Sequence, residues 1–440
     1  MPSIARKNLF EDIPRFLVAQ AGIAFAVSLV TIQTGIFRGF LESASILVER
    51  SRADLWITSK DFVHLELTLP IPLELVVRSR EVPGVARAEG LLLRKVLWRD
   101  RDGQIDTVSM VGFDPGGRLF RPWNLVSGDL DSLRQPYRAA VDRTKLRSLG
   151  LRQGLGELGR VSDLPMEVSA LTQGAQSILF SPFLFTSLST AGAYLRASQQ
   201  SELNCQVSAD GGLDCLAQAQ GVGEPSQGND GAQKPAQRPE TPENPAQPLR
   251  PDDAPVPRRA ALADPITFVL VEVAPDADRE TVRQALAKTL PNVQVFTREE
   301  LIEKAQVHWR DRTGVGFVLA LGAGVGLIVG VAIVGQILYS SASDRIREFG
   351  TLKAMGASNF TLRLIIIEQA LWMAALGYIP GMGLCLGVAA WAAAEAGVTI
   401  AITPLSAVGI FGVTVIMCTG SALFAIQKIE RVDPAIVFKA

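Results

Sequence analysis

Two long runs without a charged residue, Thr313 to Ser343 and Gln369 to Ala394, flank a short charged island, and no other feature constrains the chain as strongly. Each run exceeds the roughly 20 apolar residues that cross the hydrocarbon of a bilayer. A peptide group left unpaired in lipid is costly, so each run must close its hydrogen bonds within itself as a helix. The island between them, SDRIREFGTLKAMGASNFT from Ser343 to Thr361, is then a water-exposed loop on one side of the membrane. Its own period is helical: Ile346, Phe349, Leu352 and Lys353 fall at i, i+3, i+4 spacing, Ser343 or Asp344 can cap the start, and Gly356 can supply a left-handed stop. Arg345, Arg347 and Lys353 outnumber Asp344 and Glu348, and the positive-inside rule assigns so short a basic loop to the cytoplasm.

The chain has 440 residues, 48% of them hydrophobic and 20% charged. A mean hydropathy of +0.23 is too apolar for an ordinary soluble enzyme, and the charge content is too high for a protein made only of spans. A net charge of -1 offers no basic field for nucleic acid, and no nucleic-acid-binding pattern occurs. The two histidines, His64 and His308, lie far apart in the sequence without cysteine or carboxylate neighbours at ligand spacing, so no metal site is expected and each reads as an ordinary surface or interface residue. No G-x-x-x-x-G-K-[ST] phosphate loop is present, and no Ser/His/Asp grouping or acid and base pair stands out, so the expected catalytic set is empty.

Read in order, residues 1–15 suggest a cytoplasmic interfacial helix with Arg6, Lys7 and Arg15, followed by a first transmembrane helix over 16–41. Phe16 to Phe37 is uncharged, longer than the apolar core of a cleaved secretory signal, and Gln20, Gln33 and Thr34 can face other helices. Residues 42–312 hold no further span and form a large extracytoplasmic α/β (α+β) domain. Within it DLWITS from Asp54 to Ser59 reads as a strand, Leu73 to Arg80 as a helix, and Gly90 to Trp98 with Asp106 to Gly112 as a hairpin turning at Asp102-Gly103. Ile266 to Val273, Arg279 to Leu290, Val293 to Phe296 and Arg298 to Trp309 read as strand, helix, strand and a helix running into the next span. Between them, residues 200–263 are rich in Pro, Gln and Gly, with nine prolines from Pro225 to Pro257, and form a disordered insert. Cys205 and Cys215 flank SADGG at its edge on the oxidising side, so either a disulfide or two free thiols fit there.

The remaining segments are a second transmembrane helix over 313–341, the cytoplasmic helix over 342–362, a third span over 363–394, an external loop over 395–403, a fourth span over 404–427 and a cytoplasmic tail over 428–440. Gly322, Gly326 and Gly330 recur every four residues, and Gly377 and Gly381 repeat the theme; close helix packing explains them, since no strand precedes them to form a dinucleotide loop. Pro380 predicts a kink, and Glu368 should face protein or the interface. Cys385 and Cys418 are small core residues.

The island's letters carry a resemblance. Arg345, Glu348, Phe349, Gly350, Leu352, Lys353, Ala354, Met355 and Gly356 resemble the R-x-x-E-x-G-x-L-K-A-M-G signature of the FtsX-like, MacB-type ABC transporter permeases. RFLVAQAGIAFAVSL, VGFDP from Val111 to Pro115, and TREELIEKAQVHW with the span after it are similar to the DevC-like subgroup, glycolipid exporters among them, and VDPAIVFKA resembles the family's closing segment. The resemblance implies that these nine residues form a coupling helix docking on a separate cytoplasmic ABC ATPase, which binds ATP and Mg, so that this chain holds no cofactor and is not itself an enzyme. It further implies a homodimer in the inner membrane with both termini cytoplasmic, exporting a lipid, peptide or hydrophobic small molecule through a periplasmic membrane-fusion adaptor and an outer-membrane channel. Two alternatives come with the same family: a mechanotransmission subunit that activates a cell-wall hydrolase, and a lipoprotein-release permease.

Overall fold

The computed structural model describes residues 13–175, 180–200, 203–207, 213–217, 250–312, 314–344, 346–395 and 400–430. The N-terminal interfacial helix expected before residue 13, most of the insert, Arg345, residues 396–399 and the tail from 431 lie outside the described residues. The chain forms two compact units, Met1–Glu42 with Trp309–Ala440, and Ser43–His308.

Among the described residues, four helices are long and apolar enough to cross a membrane: α1 (Ile13–Glu49), α6 (Val315–Asp344), α8 (Asn359–Glu395) and α9 (Pro404–Glu430). Pro404 opens α9, where its missing N–H costs nothing. Small residues set the spacing in this unit. A Cβ at Gly326 would come within 2.8 Å of Leu29, one at Gly330 within 2.4 Å of the Met417 sulfur and 2.8 Å of Ala26, and one at Gly322 within 2.8 Å of Gln33. On α8, a Cβ at Gly377 would come within 2.6 Å of Ile23 and one at Gly381 within 3.0 Å of the Ala24 backbone. Hydrogen bonds cross between helices at the same places, from Ser28 Oγ to the Gly381 carbonyl at 3.2 Å and from Ser421 Oγ to that of Val331 at 3.1 Å. Pro380 sits inside α8 and cannot donate to the carbonyl of Leu376. Cys385 and Cys418 are fully buried, as expected of small core residues. The described part of the loop between α8 and α9 is tied down by Ala401 N–H donating to the Gly35 carbonyl at 3.1 Å and Arg38 donating to Thr403 Oγ1 at 3.0 Å.

The inserted unit is built on β1 (Leu55–Ser59), β2 (Ile71–Pro72), α2 (Glu74–Arg80), β3 (Val85–Arg99), β4 (Ile105–Phe113), β5 (Leu125–Gly128), β6 (Arg138–Asp142), β7 (Leu158–Val161), β8 (Leu164–Thr172), β9 (Phe183–Ser187) and α3 (Leu188–Gln200). After these come β10 (Leu203–Val207), β11 (Leu213–Ala217), β12 (Pro265–Ile266), β13 (Phe268–Val273), α4 (Arg279–Thr289), β14 (Val293–Thr297) and α5 (Arg298–Arg312). The main sheet runs β14-β1-β13-β3-β4-β9-β6-β8-β5, with β7 pairing β3 and β8. The first half of β3 pairs β13 and its second half pairs β4, so one long strand belongs to two sheet halves, which share one apolar core on one face and have separate cores on the other.

The Asp102-Gly103 turn joins β3 to β4 as an antiparallel pair, with Gly103 at φ 82°, as the dipeptide predicts. The strand-helix-strand-helix run after residue 266 forms in the expected order, and its two strands, β13 and β14, flank β1, which supplies the middle strand from more than 200 residues earlier in the chain. The helix expected to run into the second span is also interrupted, since Gly314 takes a left-handed φ of 68° between α5 and α6.

Buried polar groups fix the loops of this unit. Glu89, 5% exposed, accepts from the N–H groups of Arg118 and Leu119 at 2.8 and 3.0 Å. Glu157 accepts from the three successive N–H groups of Arg152, Gln153 and Gly154 at 2.7–3.0 Å. Burial pushes its carboxyl pKa up, but those bonds and the nearby Arg101 outweigh it and hold the net value below the ordinary range. The backbone register sets Cys205 directly opposite Cys215 on β10 and β11.

The two histidines, His64 and His308, far apart in the sequence, meet ring to ring with centroids 4.8 Å apart. Burial, His308 and Lys95 together hold the His64 pKa below its usual value. Lys95 in turn pairs with Glu66 at 3.0 Å, and the Glu66 N–H donates to His64 Nδ1 at 3.3 Å.

Candidate coupling site

The charged island folds as the short helix α7 (Ile346–Ala354) between the ends of α6 and α8. Its stop is the one that a glycine at position 356 allows. Gly356 takes φ 95°, its N–H donates to the Lys353 carbonyl at 3.1 Å, and the Ala357 N–H donates to that of Leu352 at 3.0 Å, the paired bonds of a Schellman end. A side chain at 356 would be strained in that conformation. Two residues on, Ser358 restarts the chain: its hydroxyl accepts from the Thr361 N–H at 3.2 Å and caps α8. Ser343 and Asp344, the expected caps of the island, instead lie inside α6, and Asp344 is ion-paired to Arg15. The change follows from α6 continuing to Asp344, which removes both residues from a capping position.

One face of α7 is seated in the membrane unit. Phe349, 4% exposed, joins the buried cluster that contains Ala19, Ile23, Leu362 and Ile366, and Leu352 packs against it. Gly350 beside Phe349 is buried as well. The opposite face, with Arg347, Glu348, Thr351, Ala354 and Met355, is exposed, and Lys353 is half-buried. Of the coupling residues expected from the sequence, Glu348, Phe349, Gly350, Leu352, Lys353, Ala354, Met355 and Gly356 thus share one short element, while Arg345 lies outside the described residues. Glycines 322, 326, 330, 377 and 381 lie in the helix contacts above and not at this surface.

Phe360 was not among the residues the sequence pointed to. It is 71% exposed, as is Met355, so two large apolar side chains stand out from either side of the Gly356 turn among charged neighbours. It lies within the charged island but beyond the Gly356 stop, outside the motif that marked the other residues, so nothing local singled it out. Among the described residues no group of three or more His, Cys, Asp or Glu side chains gathers to hold a metal. What the described part of this arrangement presents is a charged surface carrying two exposed large apolar side chains, a composition suited to binding another protein.

Comparison with known proteins matches two family models to the chain. Residues 16–289, more than half of the chain, match the MacB-like periplasmic core domain, and residues 320–434 match the FtsX-like permease C-terminal domain. A macrolide export ATP-binding/permease protein, MacB, from Hyphomonas neptunium is 31% identical over 126 residues, a stretch that covers 28% of this chain and only 19% of that relative. Among solved structures, the periplasmic region of MacB from Actinobacillus actinomycetemcomitans is 10% identical and covers 58% of this chain and 94% of that one, with a TM-score of 0.33. The extracellular domain of the noncanonic ABC-type transporter YknZ from Gram-positive bacteria is 9% identical over 56% of this chain and 99% of that one, with a TM-score of 0.31.

Proposed function

The chain belongs to the family of multi-pass membrane permeases that carry a MacB-like periplasmic core domain between the first span and an FtsX-like C-terminal domain, and from that premise we propose that it is the membrane subunit of an ABC-type export system. A separate cytoplasmic ATPase, holding ATP and Mg, docks on α7 and the Gly356 turn, and its closure moves the spans and through them the periplasmic domain. The chain itself hydrolyses nothing. The observation that carries this reading is the contrast between α7 and the turn after it: Phe349 is buried in the bundle while Met355, just past the end of α7, and Phe360, in the first turn of α8, are exposed. A helix held by one face and ribbed on the other can pass a push to its spans without absorbing it.

In this reading the chain lies in the inner membrane with both termini in the cytoplasm and works as a homodimer, since α6 is the most outward-facing span. Only 17% of its most apolar stretch is buried, against 39% for α1, and Phe317, Leu321 and Ile328 are exposed along it. The cargo is a lipid, peptide or hydrophobic small molecule collected outside the cytoplasm and handed to an adaptor and an outer-membrane channel; similarity to the Hyphomonas macrolide export protein supports a hydrophobic cargo.

The test is reconstitution with the ATPase. Met355→Asp with Phe360→Asp should cut permease-dependent ATP hydrolysis by about tenfold or more, because burying a charge in an apolar interface costs more than 1.4 kcal/mol. Membrane insertion and thermal unfolding should stay as in the wild type, because both positions are exposed. Unchanged stimulation by the double variant would remove α7 as the docking element. Stimulation without any vectorial movement of material would transfer the chain to the mechanotransmission class.

A further inference from the structure

In the inserted domain, the segment Arg258–Ile266 meets α3, the start of α2 and the middle of β3 around a cavity of about 230 Å³. Its floor is apolar, formed by Leu92 from β3, Leu188 and Leu195 from α3, and Ile266 from β12. Its rim is charged. Arg196 and Arg258 both reach Asp264, at 3.7 and 2.5 Å, and the other demand on that carboxylate is the Ala261 N–H at 2.9 Å. Two guanidinium groups therefore share one carboxylate, and the rim carries one positive charge in excess.

The sequence of α3 builds this geometry. Leu188, Gly192, Leu195 and Arg196 fall at i, i+4, i+7, i+8 and so share one helix face toward the cavity. Gly192 leaves the room that the Arg196 guanidinium occupies, since a Cβ at 192 would lie 3.2 Å from its Nη1. Asp264, the group that holds both arginines, is only 16% exposed and is fixed by its own backbone turn through Ala261. The cationic rim is thus preorganised over the apolar floor.

We propose that this cavity binds the carboxylate end of a single-chain anionic amphiphile, with the head between Arg196 and Arg258 and the alkyl chain on Leu92, Leu195 and Ile266. Size decides against larger occupants. Drug-sized ligands fill pockets of about 300 Å³ or more, so neither a macrocycle nor a two-chain phospholipid fits a cavity of about 230 Å³. Charge decides against a cation, which the surplus guanidinium repels, and against a neutral chain, which leaves that surplus unanswered. The site stands independently of the export reading; that the bound amphiphile is cargo rests on that reading.

The experiment uses the full chain in phosphatidylcholine nanodiscs and a decanoate analogue with a photoreactive diazirine at the end of its chain, with the labelled peptides mapped by mass spectrometry. Label is expected on α3 and on residues 258–266, displaced by decanoate and not by decanol. Arg196→Gln with Arg258→Gln should lower that label by about tenfold, the weight of one charge-assisted hydrogen bond, and Leu195→Trp should remove it by filling the floor. Label confined to the spans, equal displacement by decanol, or label unchanged in the double arginine variant overturns the site. Because the arginine variant alters only rim groups, it decides the matter even where Leu195→Trp fails to fold. Label at the site without any effect of decanoate on permease-dependent ATP hydrolysis would keep the site and reject the cargo role. Loss of the label in a protein whose Met355 and Phe360 variants behave as expected would reject the site and leave export standing.

Discussion

The two units of this molecule solve the packing problem in opposite ways. In the inserted domain the largest fully buried side chains are aromatic: Trp56, Trp98, Tyr137, Tyr194, Phe113, Phe120, Phe183, Phe185 and Phe268 all belong to it, while the membrane unit contributes Ile23 to the same group. Water makes the difference. Removing a large apolar side chain from water is worth about 25 cal/mol per Å², whereas lipid tails are as apolar as leucine and give no such drive. Helices in lipid instead gain contact by close approach, which is why Gly322, Gly326 and Gly330 sit against α1 and α9, and Gly377 and Gly381 against α1. Smooth helices that meet through glycine can shift on one another, and a sheet filled with interlocked rings cannot. A mover and a stiff load are what an export machine of the proposed kind requires.

The contrast can be broken by substitution. The largest effect is expected at Trp98, 1% exposed, whose indole N–H donates to the Leu149 carbonyl at 3.0 Å and whose ring lies where a Cβ on Gly159 would be. Trp98→Ala should cost about 3–5 kcal/mol by opening a cavity, read as a lowered unfolding temperature of the full chain, with the helical signal of the spans retained. Next comes Gly330→Leu, which must displace Met417 and Ala26 and should cost about 1–3 kcal/mol through overpacking, read by thermal unfolding in detergent together with loss of permease-dependent ATP hydrolysis. Stability equal to wild type at that position would end the small-residue account of the membrane unit.

The smallest effect concerns pH and the inserted domain alone. His64 has a depressed pKa in the folded state, so the folded chain binds fewer protons than the unfolded one as pH falls below the ordinary histidine value of about 6.5. The stability it contributes is present above that value and is lost as pH falls toward the depressed folded one. His64→Asn should flatten the acid side of the stability profile between pH 7 and 5, with Glu66 and Lys95 left in place; a profile that keeps its slope would show that the histidine pair does not set it.

Much of the architecture was legible locally. A span needs only length and the absence of charge, so α1, α6, α8 and α9 could be read from Phe16, Thr313, Gln369 and Pro404 onward. The end of α7 could be read from one glycine, and the β3-β4 hairpin from Asp102-Gly103. The segment from residue 120 to 200 was silent for a physical reason. β9 is buried at every position, so FLFTS carries no alternation, and its parallel pairing with β4 as well as that of β6 with β8 joins residues that no turn connects. The meeting of His64 with His308 and the exposure of Phe360 were equally unmarked, because each depends on what the rest of the chain leaves open around it.

The sequence by itself determined which segments cross the membrane, that a basic helix with a glycine stop joins two of them, and that a domain with its own core lies between the first span and the second. Those properties rest on hydration and on backbone conformation, which act on neighbouring residues. The tertiary structure decided that β3 belongs to two sheet halves, that β1 separates β13 from β14, that Met355 and Phe360 form one ribbed surface, and that Arg196, Arg258 and Asp264 stand over an apolar floor. These are meetings of residues distant in the chain, and they follow from the way in which many side chains fill space together.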